Sequence, residues 1–147
     1  MKVEERAQKT RELLETKGWG VLCTHSEMLP GYPSGSMTAF AVDAAGRPVF
    51  LLSGLALHTK NLRANAKASL VVTAGDSASA ARANVFGDIT AIAGEEDAEV
   101  RARYLSRHPE SAQWVDFGDF SFYVMTVRGA YWVGGFGEMG WVPGEQF

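Results

Sequence analysis

Apolar runs in this chain are short, and each is closed by a glycine, a proline or a polar turn before a long helix could form. They fall at 19–24, 36–42, 48–52, 68–73, 82–92, 119–128 and 130–133. Period-two alternation is clearest in Phe120, Phe122, Val124 and Thr126, the pattern of a strand with one buried face. Asp43-Ala44-Ala45-Gly46-Arg47 reads as a hairpin turn joining a strand at Ser36–Val42 to its return at Pro48–Leu52. Pro30, Gly31, Pro33 and Gly35 predict an irregular loop ahead of that hairpin. Gly87 interrupts the run at 82–92 and predicts a bulge or a close backbone approach. Helical patterning is confined to 3–17, 55–65 and 95–108, with Gly18 and Pro109 placed as stops. Six or seven short strands with few, unevenly spaced helices predict a mainly β (α+β) fold built as a barrel, not a doubly wound sheet.

At 147 residues, with 46% hydrophobic and 21% charged, the chain suits one globular domain over 1–147 that buries a core without metal or disulfide staples. Residues 138–147, rich in glycine and aromatics at their start, read as a C-terminal tail. The net charge of −3 argues against a duplex nucleic-acid partner held by bulk phosphate neutralisation. No apolar run approaches the roughly 20 residues that span a bilayer. The charged start Met1-Lys2-Val3-Glu4-Glu5-Arg6 is no secretory signal, so a cytoplasmic protein is expected.

The most informative segment for chemistry is Leu52-Ser53-Gly54-Leu55-Ala56-Leu57-His58-Thr59-Lys60-Asn61-Leu62. A strand ends at Ser53 and a helix opens a few residues later, and free N–H groups in a first helical turn favour an anion. Thr59 adds a hydroxyl and Lys60 a full charge, so a capped helix with a solvated lysine competes with a small phosphate pocket. Arg82, at a strand start, is either a surface cation or a second phosphate contact. Cys23, the single cysteine, reads as a small buried hydrophobe. His25 and His108 read as a strand end and a helix end, and with His58 they lack metal-ligand spacing. There is no nucleophile elbow, Walker A or Gly-x-Gly-x-x-Gly loop. Trp114, Phe117, Phe120, Phe122, Tyr131, Trp132, Phe136 and Trp141 crowd the last third. Beyond what a core needs, they predict a dimer face or a wall for a planar ligand.

Taken in order, these pieces resemble the FMN-binding split-barrel superfamily, the fold of pyridoxamine 5′-phosphate oxidase, and within it the branch of HugZ-type haem-utilisation proteins. The resemblance covers about residues 10–137 and rests on several segments. They are the hairpin Ser36–Ser53, Leu52-Ser53-x-Leu55-Ala56-x-His58-Thr59-Lys60-Asn61-Leu62, Asn65-x-Lys67-Ala68-Ser69-Leu70, and Arg82-x-x-x-x-Gly87. Tyr104-Leu105-x-x-His108-Pro109, Asp116-Phe117-Gly118-Asp119-Phe120 and Gly134-Gly135-Phe136-Gly137 complete the set. It implies a split β-barrel that dimerises with itself and holds FMN between the two copies to act as an oxidoreductase on a small molecule. It assigns the flavin phosphate to Ser53, Thr59 and Lys60 with His58 and Asn61 adjacent, a flavin contact to Arg82, and the ring edge to main-chain groups around Ser36, Met37 and Thr38. The alternatives it implies are a non-catalytic flavin or haem carrier and a reductase using the deazaflavin F420. The strand Ser36–Ala41 carries no basic residue and the chain ends Trp141-Val142-Pro143-Gly144-Glu145-Gln146-Phe147. Both depart from the oxidase pattern, so pyridoxal phosphate formation is not expected. Haem-degrading relatives draw a haem ligand from a region beyond the barrel that these residues do not include, so haem oxygenase activity is not expected either.

Overall fold

A computed structural model describes residues 1–135 and 137–147; of the aromatic residues expected to matter, Phe136 lies outside the described residues. Eight strands make one antiparallel sheet: β1 (Trp19–His25), β2 (Pro33–Ala39), β3 (Ala41–Val42), β4 (Pro48–Ser53), β5 (Lys67–Thr73), β6 (Arg82–Ala91), β7 (Phe120–Gly135) and β8 (Glu138–Pro143). Their order is β2-β1-β5-β6-β7-β4-β3, with β8 paired to β7. The sheet curls into a half-barrel, the mainly β barrel class read from the pattern of short runs. The three helices are α1 (Val3–Thr16), α2 (Leu57–Ala64) and α3 (Glu95–Arg107).

Four local readings change. The strand expected at Ser36–Val42 is two: β2 pairs with β1, and only Ala41–Val42 pairs back onto β4. The loop expected through Gly35 gives way to strand at Pro33, which pairs with His25. β2 is an edge strand, and a proline at its first residue costs no ladder hydrogen bond on the open side. The stretch 138–147 carries β8, whose Val142 is fully buried; it covers the edge of β7 that β4 leaves open, and an uncovered edge is an aggregation hazard. The two strands expected on either side of Gly129 are one strand of 16 residues.

That last change has a definite cause. β7 pairs with β6 along one edge, with Phe86 opposite Gly129 but Gly87 opposite Val127. Arg128 is the extra residue of a β-bulge, and a bulge re-aims the side chains beside it. Gly87 is required there, because a Cβ at that position would lie 2.3 Å from the Thr126 carbonyl oxygen. The bulge turns Arg128 toward Asp88, whose Oδ2 accepts from its Nε at 2.9 Å and its Nη2 at 2.7 Å.

Two cores flank the sheet. One lies between the sheet's inner face and α1 and includes Leu14, Leu22, Phe50, Leu70, Val85 and Met125. The other packs Val100 and Tyr104 of α3 against Val49, Leu51, Phe122 and Val124. Strand β4 is therefore buried on both faces, which is why Pro48–Leu52 reads as a continuous apolar run without alternation.

Replacing Gly87 by alanine should cost about 1–3 kcal/mol or more by overpacking against β7. The change should appear as a lower urea midpoint; an unchanged midpoint would mean that the bulge is not needed.

Candidate functional site

The predicted site residues divide into three groups. Met37, Thr38, Ser53 and His58 converge on a pocket of about 360 Å³ where edge strand β2 faces β4 and the start of α2. Trp19, Tyr104, Trp114 and Phe120 wall this pocket and Glu110 enters it. The Ser36 hydroxyl lies 3.2 Å from His58 Nδ1 and 3.4 Å from Thr38 Oγ1, making a short polar chain along β2. Burial holds the His58 imidazole below its usual pKa of 6.5, so the ring is neutral at pH 7. Burial likewise pushes the Tyr104 phenol up to about 12.

Ser53 belongs to the same corner, but its hydroxyl donates to Asp119 Oδ2 at 2.6 Å and also accepts from the Leu55 N–H. The Arg63 guanidinium sits over Gly54, within 3.2 Å of where a Cβ would be. This second cation near the α2 end was not marked by spacing, because it comes one helical turn after Lys60.

The second group lies on α2 but turns away from the pocket. Thr59 is fully buried, and its hydroxyl finds no hydrogen-bond partner among the described residues. Asn61 is fully buried and works as a brace. Its Nδ2 donates to Thr24 Oγ1 and its Oδ1 accepts from the Glu27 N–H, both at 3.1 Å. Lys60 is exposed on the solvent side of the helix.

Arg82 stands alone. It opens β6 opposite Thr73 and Val133, while α2 hands over to the other end of β5, where Ile89 N–H donates to the Ala66 carbonyl. Six strand steps put about 20 Å between those ends. Within one copy Arg82 therefore does not meet the α2 residues; its Nη1 donates to the Ala78 and Ala80 carbonyls at 3.0 and 3.4 Å.

His108 is buried at the end of α3, where its Nε2–H donates to the Phe40 carbonyl at 2.7 Å. Cys23 is only half-buried, against the expectation of a core residue. Leu22 and Thr24 face inward, so alternation turns Cys23 and His25 to the outer face.

That outer face holds a larger cavity, about 690 Å³, which spacing in the sequence did not find. Its floor is two rows of paired residues. One runs Cys23, Ser69, Phe86, and the other runs Pro33, His25 on β1–β2 beside Lys67, Asp88 on β5–β6. Arg128 reaches the cavity through the bulge. An imidazole, a thiol, a lysine and an arginine held by Asp88 among apolar walls suit a ligand that is flat, carries acidic groups and can accept a donor bond. Their sequence positions are far apart, and only the register brings them together. Among the described residues no group of three or more histidine, cysteine or acidic side chains could hold a bare metal ion.

A further row crosses the same face: Met37, Val21, Val71, Asn84, Tyr131 and Trp141 are neighbours strand by strand. Met37 is 69% exposed and Trp141 50%. Trp114 and Phe120 thus form a pocket wall, Phe122 and Trp132 enter the cores, and Tyr131 and Trp141 face outward. Among the described residues no helix is long and apolar enough to cross a membrane.

The family description "CREG, beta-barrel" matches residues 1–147. The chain is 41% identical over 129 residues to the non-canonical heme oxygenase HOZ, chloroplastic, of Arabidopsis thaliana, covering 87% of this chain and 40% of that protein. It thus spans less than half of that curated relative. A heme binding protein from Mycobacterium smegmatis superposes with a TM-score of 0.87 at 29% identity, covering 99% of this chain and 60% of that one. A putative pyridoxamine 5′-phosphate oxidase from Listeria innocua superposes at 0.67 with 16% identity over 86% and 97% of the two chains. That last likeness bears on the fold, and it agrees with the split barrel inferred from the sequence.

The lowered pKa of His58 fixes a sign. In the unfolded chain the imidazole takes up its proton first as pH falls, so the folded state loses stability below about pH 6.5 and levels off beneath the lowered value. The urea midpoint should drop more between pH 7.5 and 5.5 for the native chain than for His58→Gln. Equal drops would remove His58 as the source.

Proposed function

The chain belongs to the CREG β-barrel family, and from that premise we propose that it binds a haem-type tetrapyrrole on its outer sheet face, between two copies of itself. The observation that carries this reading is the donor set of the 690 Å³ cavity. Its size lies within the roughly 300–1,000 Å³ of ligand sites, and its lining of apolar walls with a few placed polar groups is typical of them. Lys67 offers positive charge to one acidic side group, Arg128, whose Nε and Nη2 hold Asp88, keeps Nη1 for a second, Phe86 and Pro33 offer flat apolar contact, and His25 and Cys23 offer donors to a metal centre. Serine at 69 and glycine at 87 keep the floor low. These residues fit the group.

Bound haem supplies a redox-active iron whose behaviour follows its ligands and the polarity around it. The chain's share would be to seat the macrocycle in the cavity, pair its carboxylates and exclude water. That the Arabidopsis relative is a heme oxygenase and the mycobacterial one a heme binding protein supports the same ligand. Exposed Met37, Tyr131 and Trp141 stand at the two ends of a half-buried row beside the cavity and support the second copy. Contiguous apolar patches on a sheet face mark partner surfaces, and a copy seated there would wall the cavity's open side.

FMN is the second reading, favoured by the convergence of Met37, Thr38, Ser53 and His58 on one aromatic-walled pocket. The aromatic wall would meet the ring, while Lys60, on the solvent side of α2, stands outside the pocket. We place haem first because the smaller pocket admits Glu110 and, among the described residues, is lined by no lysine or arginine. A phosphate dianion gains little there.

Haemin titrated into the protein should quench tryptophan fluorescence to saturation, while FMN should not. Lys67→Glu with Arg128→Ala should weaken haemin about tenfold, on the order of 1.4 kcal/mol. Saturable FMN binding with no haemin binding would reverse the order of the two readings. Light scattering should give a dimer for the native chain and a monomer for Met37→Asp with Trp141→Asp; a native monomer would remove the shared site.

A further inference from the structure

We propose that the pocket between β2, β4 and α3 binds a small protonated organic amine, its ammonium head against Glu110 and His58 and its carbon body among the aromatic walls. The place is separate from the outer-face cavity, and its ligand is independent of the haem reading. Charge is the first observation. Half-exposed Glu110 enters this pocket of about 360 Å³, which among the described residues is lined by no lysine or arginine. Arg63, over Gly54, stands outside the lining. Glu110 Oε1 lies 3.6 Å from His108 Nδ1, beyond hydrogen-bond reach, and among the described residues the carboxylate has no closer charged partner. A carboxylate left open beside apolar walls attracts a cation more strongly than one in bulk water.

The second observation is the direction of the hydrogen bonds. The Thr38 hydroxyl donates to the Ser36 carbonyl at 3.3 Å. The Ser36 hydroxyl, 3.4 Å from Thr38 Oγ1, then donates to that oxygen and accepts from His58 Nδ1–H at 3.2 Å. This assignment satisfies all three contacts, and it leaves His58 Nε2 with a lone pair and no proton. Burial keeps the ring neutral, so the lone pair persists at pH 7. The Ser53 hydroxyl is taken by Asp119 and the Leu55 N–H. The groups left open to a ligand are therefore a carboxylate and an imidazole nitrogen, and both call for N–H donors.

The third is the wall. Trp19 of β1, Tyr104 of α3, Trp114 beyond it and Phe120 at the start of β7 line the one pocket. Ring faces attract a cation, and the same rings cover the carbon body that carries it. An anion of the same shape would meet Glu110 and no lysine or arginine. A quaternary ammonium would find the ring faces but could offer nothing to Glu110 or Nε2, so an amine that keeps its N–H groups fits best.

The test uses the whole chain without haemin, near neutral pH, where benzylamine carries its proton. Benzylamine should bind saturably, read by tryptophan fluorescence and by calorimetry. Benzyltrimethylammonium, of like shape without N–H donors, should bind about tenfold more weakly, and benzoate should not bind. Glu110→Gln should weaken benzylamine about tenfold and keep the native urea midpoint, since its side chain is half in solvent. Absence of saturable benzylamine binding would overturn the proposal, as would benzoate or the quaternary ion binding as tightly as benzylamine. Unchanged benzylamine affinity in a folded Glu110→Gln would overturn it as well; were that variant unfolded, the three ligands on the native chain still decide. Haemin binding is read separately, so failure here leaves the haem reading standing and failure of haemin leaves this pocket standing.

Discussion

Strand β7 carries the architecture. It pairs with β6 along one edge and divides the other between β4 and β8, so the β2-β1-β5-β6 side of the curled sheet meets the β4-β3 side through it. A strand of that length accumulates twist, and the bulge at Gly87 and Arg128 is where the sheet takes it up. The same irregularity sets a cation onto the outer face. The feature that lets the sheet curl also supplies part of its electrostatic pattern, and Gly87 serves both because no side chain fits against the Thr126 carbonyl.

The curl leaves two concave places with different chemistry. The split between β2 and β4 is walled by aromatic rings from α3, the turn after it and the start of β7, and it contains one neutral imidazole and one carboxylate. The outer face has small residues in its floor, free donors on β1 and cations at β5 and β7. A phosphorylated cofactor needs charge close to its anchor; a flat diacid with a metal needs separated cations and a donor. The two places are chemically distinct, and the haem reading follows from that difference as much as from the relatives.

Much of the frame was legible in the chain. Glycines and prolines closing short apolar runs gave the mainly β class, the hairpin turn at 43–47 appears with Gly46 at a positive φ of 82°, and Gly87 marked its bulge. Phe120 and Trp114 were flagged as wall candidates and do line a pocket. The α2 segment was correctly placed at a strand-to-helix corner, yet its side chains diverge. Helical periodicity sends His58 to the pocket, Thr59 and Asn61 to the interior and Lys60 to solvent. Adjacent residues on a helix do not share a face, so a run of four polar side chains could not all reach one ligand.

By itself the sequence determined the alternation of strand faces, the turns and the places where only glycine would serve, because these depend on local backbone sterics and on which side chains avoid water. Tertiary structure alone decided which strands became neighbours. Cys23, His25, Lys67, Asp88 and Arg128 are spread over more than a hundred residues, and they share one cavity because antiparallel register fixes which residue of each strand stands beside which. A shift of one residue in any pairing would turn that strand's side chains to the opposite face, so the site is a property of the pairing and not of any local motif.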